Sequence, residues 1–133
     1  MNILEHVKKL LVDAGISTTI KLASLPNTPA EIIVLYQTGG IEPDPNMTAK
    51  TIHEPTVQAF VRSNEYANGA DILEEVRDAL HQLREQNVTV DGKTIRFIKI
   101  LALAEGGHIG SDEAGSDLDE FTINFGVKCH ATT

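Results

Sequence analysis

Apolar residues recur at helical spacing in two parts of this chain and at a period of two in several others. Ile3, Leu4, Val7, Leu10 and Leu11 fall on one helical face. Asn2 stands where a cap would, Glu5 follows three residues later and Gly15 lies just past the end, which together predict a first helix. Thr18 to Leu22 predicts a short strand, and Leu25-Pro-Asn-Thr-Pro29 a turn. Glu31 to Tyr36 then reads as a strand whose apolar run, Ile32 to Tyr36, implies cover on both faces. Gln37 to Lys50, with two Gly, two Pro and few apolar side chains, predicts an exposed loop. Beyond it Val57, Ala59 and Val61 alternate with Gln58, Phe60 and Arg62 as in a two-faced strand, and Pro55 argues for an edge or a bend at its start.

Asn64 is placed to cap a second helix. In it Ile72, Leu73, Val76, Leu80 and Leu83 form one stripe, and Glu74, Glu75, Arg77, Asp78 and Arg84 face water. Val88 to Val90 and Thr94 to Leu101 flank Asp91-Gly92, a dipeptide suited to a type I′ hairpin turn. Ala104 to Asp119 reads as a second long loop. Phe121, Ile123, Phe125, Val127 and Cys129 then alternate with Thr122, Asn124, Gly126, Lys128 and His130 as a final strand with one wet face. The order of elements predicts one α+β domain over residues 1–133. It is a mostly antiparallel sheet of about four main strands with two helices packed on one face. Gln58, Arg62, Thr122 and Lys128 are expected on the other, half-polar face.

Composition narrows the function more than it identifies it. The chain has 133 residues, 41% apolar, with a net charge of −8. That charge argues against gripping nucleic acid through its phosphates. Cys129 is the single cysteine, so no intramolecular disulfide forms, and no apolar run approaches the roughly 20 residues that span a bilayer. The start of the chain reads as a helix rather than a secretory signal.

Candidate chemistry is sparse. His6, His53, His81, His108 and His130 are scattered with no metal-ligand spacing, and Cys129 and His130 should point to opposite faces of a strand, Cys129 into the core. His6 and His81 are expected at the surface. Five carboxylates crowd Ser111 to Glu120 without the order of an EF-hand loop. They read as a solvated acidic loop or a contact for a basic partner. A small metal-dependent hydrolase would have to be built from His108, Asp112 and Glu113, and no Gly-x-Ser-x-Gly elbow accompanies Ser111. No cofactor or metal site is expected. Arg62 reads as an exposed strand-end charge, or as an ion-pair partner for Glu65 or for an acid on a neighbouring subunit. The stretch Val34 to Ser63 is therefore a contact surface rather than a chemical one.

The ordered landmarks carry a resemblance. The helix ending at Gly15, the Leu25-Pro26 turn, Tyr36-Gln-Thr-Gly-Gly40 and Pro55-Thr-Val-Gln-Ala-Phe-Val-Arg62 are followed by the Asn64 to Tyr66 helix entry and the long second helix. Gly110-Ser-Asp-Glu-Ala-Gly115 then precedes Phe121-Thr-Ile-Asn-Phe125. This series resembles the tail terminator or minor capsid proteins of long-tailed bacteriophages and related prophages. The resemblance implies a non-enzymatic virion protein at the head-tail junction, assembled in the host cytoplasm. It would form a hexameric ring on the tail tube end, stop tube polymerisation and join the head connector. Its partners would be its own copies, the major tail tube protein and the connector or stopper, with DNA only passing through the lumen and no membrane involved. A neighbouring neck or head-completion protein is the alternative. Under this reading the interface candidates are Tyr36, Gln37, Gly39, Gly40, Gln58, Arg62, His108, Asp112, Glu113 and Asp117.

Overall fold

In the computed structural model, residues 1–41, 52–111 and 118–132 are described. Helix α1 spans Leu4–Asp13 and α2 Tyr66–Leu80. The strands are β1 (Ile20–Leu22), β2 (Ile32–Ile41), β3 (Glu54–Ser63), β4 (Leu83–Val90), β5 (Lys93–Ala102), β6 (Gly107–Ser111) and β7 (Asp119–Thr132). They form one seven-stranded sheet in the order β1-β2-β3-β7-β5-β4, with β6 also paired to β7. β1 and β2 run parallel and the remaining pairs antiparallel, and the mixed sheet curls into a half-barrel.

This corrects the expected mostly antiparallel sheet of about four main strands. Three features hid the extra strands. β2 runs on through Gln37 to Ile41 by a register shift between Gln37 and Gly40, where the sequence reads as loop. Most of β4 is exposed, with Val88 as its one fully buried position, so its period is faint, and Leu83 belongs to it rather than to the stripe of α2. β6 is short and glycine-bearing and lies inside the second predicted loop, Ala104 to Asp119.

The organising strand is β7. Residues 119–126 pair with β3 along one edge. On its other edge β5 pairs with residues 125–132 and β6 with residues 119–122, so β6 resumes where β5 stops. The alternation seen in the sequence puts Phe121, Ile123, Phe125, Val127 and Cys129 on the inner face, each at most 3% exposed. Opposite them pack Leu4, Val7, Leu10 and Leu11 of α1 and Ile72, Leu73, Val76 and Leu80 of α2. A smaller cluster, Ile32, Val34 and Phe60 with Tyr36 against it, lies on the outer face of β2 and β3.

Local chemistry explains the joints. The β4–β5 hairpin turns on Asp91 and Gly92 at φ 50 and 76, the left-handed pair that a type I′ turn requires. Gly40 has φ 131, and a Cβ there would overlap the Glu54 carbonyl oxygen. That contact lets β2 cross the start of β3, where Pro55 sits buried inside the sheet rather than at an edge. The Asn2 Oδ1 accepts from Leu4 N at 3.2 Å, although Ile3 is the residue that begins α1. Asn64 does not cap α2. Glu65 takes that position without a side-chain bond, while Ser63 Oγ accepts from Glu65 N at 3.3 Å. His6, expected at the surface, is 6% exposed because its Nε2 bonds the Lys93 carbonyl at 3.0 Å and fastens α1 to the β4–β5 hairpin.

Gly69 of α2 faces the Phe121 ring so closely that a Cβ would overlap it. Gly69→Ala gains helix propensity but forces the ring or the helix to shift. It should destabilise the fold by about 1–2 kcal/mol, read as a lower denaturant midpoint at unchanged slope.

Candidate functional site

The sequence-predicted contact residues fall into three places. Tyr36 and Gln58 are register partners on the outer face of β2 and β3, both half-buried. Gln37, Gly39 and Gly40 lie on the continuation of β2. There Gln37 Nε2 donates to the Met1 carbonyl at 2.7 Å while its Oε1 accepts from Ile3 N at 3.2 Å. Gln37 thus pins the chain start beside β2, and Met1, Gln37, Gly40, His53 and Pro55 surround a hollow of about 200 Å³. Asp112, Glu113 and Asp117 lie outside the described residues.

His108 on β6 belongs to the third place. Its ring stands 5.1 Å from both Tyr66 and Phe121, and those two rings are 5.4 Å apart. Its Nε2 bonds Asp119 Oδ1 at 2.9 Å across the β6–β7 pair. Together with Leu73, Glu74 and Glu105 these rings surround an open hollow of about 350 Å³ between α2 and β6. Tyr66 remains 57% exposed at its mouth. The hollow has an aromatic wall and a charged rim of Glu74, Arg77 and Glu105. Among the described residues no three His, Cys, Asp or Glu side chains are grouped to hold a metal ion.

Arg62 occupies a different kind of site from the one expected. It is 5% exposed. Its Nε donates to the Ala30 carbonyl at 3.2 Å, and one terminal nitrogen faces the carbonyls of Pro26 at 2.8 Å, Asn27 at 3.2 Å and Pro29 at 2.8 Å. The guanidinium is therefore the hub of the segment 26–30, held over the outer face of β3. Ser63 next to it donates to Glu31 Oε1 at 3.1 Å, which continues the tie. The exposed strand-end charge and the intersubunit ion pair both give way to this role, because loop carbonyls enclose the side chain. A strand arginine followed by a proline-rich turn upstream carries no periodic signal for such a cage.

Cys129 is fully buried, as its alternation implied, and removal from water pushes its thiol up to about 11, the chain terminus opposing this more weakly. His130 beside it is 7% exposed although it points to the other face.

Residues 9–128 match the sequence profile of the family described as bacteriophage tail terminator protein. Among solved structures, a chain from the virion of a native gene transfer agent particle shares the fold at a TM-score of 0.54 and 12% identity, covering 95% of this chain and 92% of its own. No curated protein sequence matches.

Arg62→Ala should cost about 2–4 kcal/mol, since it leaves several carbonyls short of a charged donor, and Arg62→Lys should restore only part of that. Proteolysis within residues 25–31 should accelerate in parallel with the drop in thermal stability. The folded thiol of Cys129 stays protonated to about pH 11 while an unfolded one ionises near 9. Its contribution to stability is therefore full below pH 9 and lost as pH rises to 11. Alkylation with iodoacetamide at pH 8 should follow the rate of unfolding, and fast labelling of folded protein would contradict this burial.

Proposed function

This chain belongs to the bacteriophage tail terminator family and is a structural protein of the virion, and from that premise we propose that its copies form a hexameric ring on the end of a finished tail tube. The ring stops addition of tube protein and offers the surface that joins the head connector. The family match over residues 9–128 carries this reading.

The geometry supports it in kind. Among the described residues the contact candidates lie on paired strands: Tyr36 and Gln58 as register partners, Gln37 bonded to the chain start, His108 bonded to Asp119. Such positions are set before a partner arrives, which lowers the ordering cost of assembly. The net charge of −8 suits a lumen through which DNA slides without adhering. No catalysis is required of such a protein.

Mixed with polymerising tail tubes, the purified protein should appear in negative-stain images as a ring at one tube end, and tube length should stop increasing. Rings found on the connector but never on tubes would place the protein among the neighbouring neck components. Tubes that keep growing in its presence would refute the terminator role.

A further inference from the structure

Two like-charged rows stand on opposite sides of the molecule. The first crosses the outer face of the sheet. Arg84 is the register partner of Lys99, and Lys99 of Lys128, so three cations stand abreast on β4, β5 and β7. Their sequence neighbours fix the face: Leu83, Ile100, Val127 and Cys129 all turn into the core. The row spans two strand spacings, about 10 Å. Like charges directly opposite on adjacent strands repel. Among the described residues none of the three has an ion-pair partner. Glu54 shares a groove of about 370 Å³ with Lys99 and Lys128 but pairs with neither.

The second row lies on α2. Asp71, Glu74, Glu75 and Asp78 are exposed, and their spacing puts all four on one helical face. Among the described residues the only ion pair in this row is Arg77 with Asp78 at 3.9 Å, an exposed contact worth little. Seven residues of helix rise about 10 Å, the same length as the basic row. Leu73 and Val76 anchor α2 on the inner face of the sheet, so its acidic row faces away from the side that carries the cations.

We propose that these rows are the two halves of a head-to-tail contact between copies of this chain. The inference rests on the ring reading above and names the surfaces that would make the ring. Opposite sign, equal length and placement on opposite sides mean that one copy cannot join its own rows, whereas successive copies can. Because the two surfaces differ, the contact is heterologous and propagates around a ring instead of closing as a two-fold dimer. Apolar area accompanies both halves. Leu103, 61% exposed, borders the basic groove, and Glu74 stands on the rim of the hollow walled by Tyr66 and Phe121.

Sedimentation velocity on the full chain tests the pairing. Wild-type protein should self-associate, and less so as NaCl is raised. Lys99→Glu with Lys128→Glu should weaken association by about tenfold or more, as should Glu74→Lys with Glu75→Lys. Mixing the two double variants restores opposite signs at both contacts, so the mixture should associate when neither variant does alone. Thermal unfolding confirms that each is folded, and Lys99→Gln with Lys128→Gln gives a milder loss in the same direction should the reversals unfold. Wild-type association by either reversed variant, or no recovery on mixing, overturns the proposal while rings on tubes leave the terminator reading intact. A monomeric wild type that caps no tube defeats both. Loss of binding to a short DNA duplex by the lysine variant, with self-association unchanged, would assign the basic row to phosphates and overturn the pairing.

Discussion

The rest of the structure depends on the pairing of β7 along both of its edges. Its inner side chains, Phe121 to Cys129, are the floor on which α2 lies and part of the core that α1 completes from β4 and β2, and its backbone fixes β3 on one side and β5 with β6 on the other. A strand buried in this way cannot slip by one residue without sending every core side chain to the outer face. The close seat of Gly69 on the Phe121 ring then locks α2 to the same strand. The hollow at His108 and the outer row ending at Lys128 are both set by β7, on its two faces.

Arg62 shows how a polar group can be structural in a sheet with few aromatic residues. The outer face of β2 and β3 carries only a small apolar cluster, so little hydrophobic area is available there to hold the segment 26–30. One guanidinium facing four carbonyls supplies directional bonds instead. The helix side relies on area, the outer side on hydrogen bonds, and the two like-charged rows lie where neither is used. Repulsion within each row is a cost in the isolated chain. Such a cost is offset if a surface of opposite sign covers the row.

The sequence by itself determined the elements with a strong period: α1, the buried face of α2, the Asp91-Gly92 hairpin and the alternation of β7 down to the burial of Cys129. Through the ordered landmarks it also determined the family. Those features are local, since they need only the spacing of apolar residues and the backbone preferences of a few turn residues. Tertiary structure alone decided the rest. The extension of β2, the polar first half of the edge strand β4 ahead of Val88 and the short β6 exist because neighbouring backbones pair with them, and a ladder leaves no periodic trace when side chains on both faces are wet. The same holds for the interior placement of Pro55, the burial of His6 and Arg62, and the alignment of Arg84, Lys99 and Lys128. Each depends on which residues far apart in the chain become neighbours, and that is fixed by strand register rather than by composition.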